Sequence, residues 1–156
     1  MAQIQYSAST GASYVTSTTA IQTAIAIVNA ATDCGVQIKR YRIGFNGVTA
    51  SNSPVLVRFF STNNATAGTS TAATISQESG RTFAIANITA ATMYTAEPTV
   101  KTYFGDSLSL TPNGGTVVYD FPLGDEPDIG ASSTFGIEIL ATVAVGVQAS
   151  LWFTRV

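Results

Sequence analysis

The densest group of potential ligands in the chain is Asp125, Glu126 and Asp128, three carboxylates within four residues. Clustered carboxylate oxygens are the chemistry of Ca²⁺ binding. Here Pro122 and Pro127 stiffen the segment, and the spacing lacks the alternating ligands of a calcium loop. The group therefore reads as a solvated turn. A second candidate is the carboxylate pair Asp120 and Glu138, which could perform glycoside hydrolysis if brought together on neighbouring strands. Nothing in the spacing singles that pair out, and Arg40, Arg42 and Arg58 are ordinary partners for either acid. The chain has no histidine, the usual proton carrier near neutral pH. Its single cysteine, Cys34, has no imidazole to activate it and reads as a small buried apolar residue. The turns Asn113-Gly-Gly115 and Gly44-Phe-Asn-Gly47 lack the strand, lysine and helix of a phosphate cradle. Asn64-Ala-Thr66 and Asn87-Ile-Thr89 match the glycosylation pattern, a chance match in a chain without a secretion signal. These readings predict no catalytic residue, no cofactor, no metal and no enzymatic activity.

Trp152 and six tyrosines are the remaining groups with binding chemistry. Exposed, they could stack on sugar rings; buried, they would fill a core or an interface. A carbohydrate- or receptor-binding β-sandwich is the alternative reading of function that these residues offer.

Charged residues make up only 10% of 156 positions, while 46% are hydrophobic, and the net charge is −2. Solubility must come from the hydroxyls and amides of Thr, Ser and Asn. A surface with so little charge is poorly defended against association, so the composition favours a subunit of an assembly. Lys39, Arg40 and Arg42 are the only close group of cations, too few for a phosphate-backbone footprint, so nucleic acid is not expected as a partner. The apolar stretch Ala20–Ala31 is interrupted by Gln22, Thr23 and Asn29 and is too short to span a bilayer, so no membrane is expected either. The opening residues Met1–Tyr6 show neither the positive nor the apolar region of a signal peptide. Together with the lone cysteine, this predicts folding in a reducing cytosol.

The positioning elements read as strands. Ile21, Ile25 and Ile27 sit at odd positions in Ala20–Val28. Val36–Phe45 alternates with Tyr41, Ile43 and Phe45 on one face and Ile38, Arg40 and Arg42 on the other. Pro54–Phe60, Thr116–Phe121, Phe135–Ala141 and Val145–Thr154 follow the same period of two, and Ser107–Leu110 reads as short and extended. Ser61–Thr74 is low in complexity and reads as a long exposed loop. Ile75–Val100 is weakly patterned. Residues 1–19 read as an N-terminal arm or edge strand, and 20–156 as one domain. The sum is an all-β fold: an antiparallel two-sheet jelly-roll sandwich of about eight strands. Ile43, Val57, Val117, Tyr119, Ile137, Ile139, Leu151 and Phe153 are the predicted core.

The order of motifs carries a resemblance. Lys39-Arg-Tyr-Arg-Ile-Gly-Phe45 and Ala67-Gly-Thr69 precede Thr95-Ala-Glu-Pro98, Leu108-Ser-Leu110 and Asn113-Gly-Gly-Thr-Val-Val-Tyr119. Pro122-Leu-Gly-Asp-Glu126, Phe135-Gly-Ile-Glu-Ile139 and Leu151-Trp-Phe153 complete the series. Over residues 36–156 this resembles small jelly-roll proteins of tailed bacteriophages that decorate, or cement, the capsid. The resemblance implies a structural virion protein on the outer capsid surface, made in the host cytoplasm, commonly a homotrimer, with the major capsid protein as its partner. The polar N-terminal segment is then the expected docking element. Gln3, Gln5, Tyr6, Ser7, Ser9 and Thr10 would contribute, adding a strand to an exposed edge.

Overall fold

The computed structural model describes residues 4–11, 14–15, 20–47, 52–66, 68–79 and 85–156. Among them the chain forms strands β1 (Gln5–Ser9), β2 (Tyr14–Val15), β3 (Ile21–Asn29), β4 (Val36–Gly47), β5 (Val55–Asn63), β6 (Thr69–Ala73) and β7 (Ile75–Ser79). They continue with β8 (Ile88–Ala96), β9 (Thr102–Leu110), β10 (Thr116–Asp120), β11 (Asp128–Ile129), β12 (Ser133–Leu140) and β13 (Val145–Arg155). A single 3₁₀ turn covers Asn64–Thr66, and no α-helix occurs in the described residues. The strands form two antiparallel sheets. One has the order β10-β4-β13-β1-β7, with β11 also on β4 and β2 also on β13; the other runs β6-β8-β3-β12-β5-β9.

The all-β reading holds, with more strands than the eight expected. The additions come mostly from the weakly patterned middle of the chain. Ser61–Thr74 is not a free loop: β5 runs on through Asn63, and β6 pairs with β8. Thr69, Thr71 and Ala72 of β6 are exposed. Such a strand has no buried face to write an apolar period into the sequence.

The core lies between the sheets. Ile43, Val57, Ile137, Ile139, Leu151 and Phe153, all predicted to be inside, are at most 1% exposed. Ile38 joins them, against the expected alternation. A bulge shifts the β4–β13 register so that Trp152 faces Arg40 while Phe153 faces Ile38, and the extra residue reverses the parity of everything before it. Val117 is only half-buried, and Tyr119 is 44% exposed. Both belong to β10, the outermost strand of its sheet, where the sandwich is open.

The outer face of the six-stranded sheet is covered in part, over β3 and β12. Two segments lie on it: Asn64–Thr66 after β5, and residues 97–101 between β8 and β9. They are tied by the Thr99 N–H donating to the Thr66 carbonyl at 3.2 Å. Beneath them Phe60 is fully buried, and a small separate cluster joins Ala26, Ala91 and Tyr94. Burial pushes the Tyr94 phenol up to about 12, with Ser70 pulling the other way and Glu97 adding to the rise.

Phe60 lies across the backbone at Gly136, where a Cβ would come within 2.4 Å of the ring. Gly136→Ala is expected to lower stability by about 1–3 kcal/mol through overpacking. Chemical denaturation of the variant checks this; an unchanged midpoint would contradict it.

A charged network pins the 97–101 strap. Glu138, on the outward side of β12, is completely buried. Arg58 Nη2 lies 2.6 Å from its Oε1, and Lys101 Nζ donates to Oε2 at 2.7 Å. Lys101 also donates to Glu97 at 2.7 Å, and Glu97 accepts from the backbone N–H and the hydroxyl of Thr23 on β3. The two cations rest on rings, Arg58 at 4.4 Å from the Tyr103 centroid and Lys101 at 4.7 Å from that of Phe60. Burial disfavours the Lys101 ammonium, but Glu138 and Glu97 more than offset it, and its pKa rises.

Candidate functional site

The described chemistry-bearing residues distribute over two surfaces. The first is the outer face of the seven-stranded sheet. Around Trp152 its side-chain bonds join residues of its own strands: Ser7 to Glu78, Arg42 to Ser150 and Arg40 to Asp120. Alternation along β13 turns Leu151 and Phe153 inward and Trp152 outward. The Arg40 and Arg42 guanidinium carbons stand 5.6 and 6.0 Å from the Trp152 ring. Trp152 is therefore no bare stacking platform. It forms a three-residue Arg–Trp–Arg patch, with Ser7 beside it across β1.

The expected docking residues meet this face. Gln3 lies outside the described residues. Gln5, Ser7 and Ser9 occupy outward positions of β1, while Tyr6 points inward, 4% exposed and stacked on Phe153 at 5.7 Å. Thr10 is engaged locally: its N–H donates to the Ala149 carbonyl, and its hydroxyl accepts from the Ala149 N–H. Gln5–Ser9 is neither a free arm nor an edge strand. It is hydrogen-bonded to β13 on one side and β7 on the other. Strand addition through it would require displacing β7. What β1 offers a partner is its outward side chains.

The second surface is the mouth of the sandwich between the terminal strands β9 and β10. A cavity of 400 Å³ opens there, lined by Tyr41, Phe59, Phe104, Asp106, Leu108, Val117, Tyr119 and Phe121, with Gly105 at its edge. The glycine sits at φ +70° in a bulge of β9, where pairing steps from Phe104 opposite Phe59 to Leu108 opposite Val57. The bulge carries Asp106 to the rim. Tyr41 forms the floor, with ring centroids of Phe59, Tyr119 and Phe121 at 4.8, 5.6 and 5.8 Å. Burial, aided by Tyr119, raises the Tyr41 pKa.

The other candidates resolve into structural roles. Asp120 and Glu138 lie in different sheets and serve Arg40 and Arg58, so they make no paired carboxylate site. In the acidic turn, Glu126 accepts from Lys39 at 3.0 Å and from the Gly124 N–H at 2.6 Å. Lys39, with those backbone N–H groups, holds the Glu126 carboxyl below its ordinary value. Among the described residues no group of His, Cys, Asp or Glu is placed to hold a metal. Asn64 donates its amide to the Asn29 carbonyl and accepts from the Thr134 hydroxyl, and it anchors the Asn64–Thr66 turn. Cys34 is half-buried against the core.

Comparison with protein families, curated proteins and solved structures found no match for this chain.

Proposed function

We propose that this chain is a structural virion protein that decorates and stabilises the outside of a phage capsid, acting as a homotrimer. The fold reading within that proposal is a jelly roll. Supporting it, eight of the strands form the sheets β10-β4-β13-β1 and β3-β12-β5-β9. Along the chain these eight alternate between sheets except at β5 and β9, the one step that stays within a sheet. That is the connectivity of two interleaved Greek keys. On this reading β6, β7 and β8 are an insertion between β5 and β9, which extends both sheets.

The observation that carries the docking proposal is the difference between the two outer faces. One is crossed by a strap pinned to a buried ion network; the other presents Trp152 between Arg40 and Arg42, beside the outward Ser7 and Ser9 of β1. Trp and Arg are the residues that dominate interface energetics when desolvated by a partner. The low charge of the chain supports close contact on a large neutral surface, and many symmetric copies make weak individual contacts durable. The motif order over residues 36–156 supports the capsid as partner.

The test is co-sedimentation of the purified protein with undecorated phage heads. Wild type is expected to bind saturably. Trp152→Asp is expected to lose that binding while keeping the far-UV spectrum of a β protein. Unchanged binding by the variant would move docking off this face, and absence of wild-type binding would refute the function. Light scattering is expected to give three times the 16.2 kDa monomer mass. A monomer at micromolar concentration would refute the trimer.

A further inference from the structure

We propose that the aromatic mouth between β9 and β10 is a binding site for an organic cation of the quaternary ammonium type. The reasoning starts from what lines it. Tyr41, Phe59, Phe104, Tyr119 and Phe121 supply rings, Asp106 supplies a carboxylate, and among the described residues no Lys or Arg lines the cavity. Ring faces carry negative potential and attract cations, most strongly cations that shed water easily. Elsewhere the chain satisfies such rings itself: the cation–ring contacts of the described residues fall at Trp152, Tyr103 and Phe60. The rings of the mouth receive none.

Charge points the same way. Five of the nine acidic residues of the chain fall between 104 and 128, a stretch without Lys or Arg. Two of the five, Asp120 and Glu126, are paired with Arg40 and Lys39. Asp106, at the rim, makes no hydrogen bond or ion pair with another described residue. A cavity with an apolar ring wall and a single unpaired carboxylate complements a ligand that is both greasy and positive. A trimethylammonium group fits the 400 Å³ space with room for a short substituent. The same acidic surroundings disfavour a ligand whose cation sits beside a phosphate. The site is therefore assigned to a quaternary ammonium without a neighbouring anion, not to a phosphocholine lipid surface.

The test titrates the full chain by NMR with three probes. They are choline, phosphocholine, and the neutral isostere of choline in which a tert-butyl group replaces the trimethylammonium. Choline is expected to bind saturably, with shifts confined to residues around the mouth. The neutral isostere is expected to bind about tenfold more weakly, because it keeps the shape and loses the charge. Phosphocholine is expected to be weaker than choline. Asp106→Asn should weaken choline and leave the isostere unchanged; Tyr119→Ala should weaken both. Equal affinity for choline and its isostere would reduce the mouth to an apolar pocket and overturn the proposal. So would the absence of any saturable shift at millimolar choline, or tighter binding of phosphocholine. The readout does not depend on head binding, so the two proposals fail separately.

Discussion

Replacing Glu138 with alanine is expected to lower stability by about 3–5 kcal/mol, because it takes one of two carboxylates from the buried Lys101 and the counter-charge from the part-buried Arg58. For a chain of this size that corresponds to a fall in Tm of roughly 6–20 °C. Glu138 is the hinge of the network: Arg58 and Lys101 converge on its two oxygens, and it has no solvent access. In the variant Lys101 keeps Glu97 as a partner, but Arg58 keeps only the Tyr103 ring. The loss should fall on the strap, raising hydrogen exchange at residues 97–101 before the core. A companion variant distinguishes lost charge balance from lost packing. Glu138→Leu combined with Arg58→Met removes both charges and should recover part of the loss. A fall of less than about 1 kcal/mol in Glu138→Ala, the level of an exposed surface pair, would contradict this account of the network.

Gly68→Ala is expected to cost about 2–5 kcal/mol, the sum of a left-handed backbone penalty and a collision. Gly68 has φ +80°, and a Cβ there would stand 2.3 Å from the Ala96 carbonyl oxygen and 2.9 Å from the Glu97 carbonyl carbon. These are backbone atoms, so no side chain can swing aside. Relief would require parting the two straps or breaking the pairing of Thr69 with Ala96. Gly11→Ala is the matched control. It has φ +70° with nothing within 4 Å, so it should carry only the backbone penalty, about 1–2 kcal/mol. Equal losses in the two variants, measured by denaturant unfolding, would show that the straps are not seated as described.

The parts of this fold that the sequence announces are those with one apolar face in the core and polar or small residues on the other. β12 and β13 are the clearest: Phe135, Ile137, Ile139, Val147, Leu151 and Phe153 follow a period of two because one side of each strand lies in the core. β6 and much of β7 escape detection because both their faces meet solvent, leaving Ser and Thr without an apolar period. Ile38 is misassigned by parity because a bulge leaves no local mark in Gln37-Ile-Lys-Arg40. Tyr119 alternates as a core residue should, yet its strand is outermost, and order within a sheet is not written in the strand itself. Arg40 with Asp120 and Arg58 with Glu138 are foreseeable as ordinary ion pairs. The complete burial of Glu138 is not, since it depends on the 97–101 strap bringing Lys101 over it while Arg58 and Tyr103 close from the neighbouring strands. The sequence signals the Ser and Gln side chains of β1 but hides the pairing with β7 that makes it an inner strand. The aromatic mouth draws one residue each from β4 and β5 and the rest from β9, β10 and the residue that follows it. Its only local trace is Gly105-Asp106, a glycine inside a strand that marks the bulge.

The central claim, that the chain coats the exterior of a capsid, is tested most directly by electron microscopy of undecorated heads mixed with saturating wild-type protein. The account predicts added density at symmetry-related positions on the outer surface, three copies to each site, with the Trp152 face of every copy turned toward the shell. Heads that show no added density at saturating protein would contradict it.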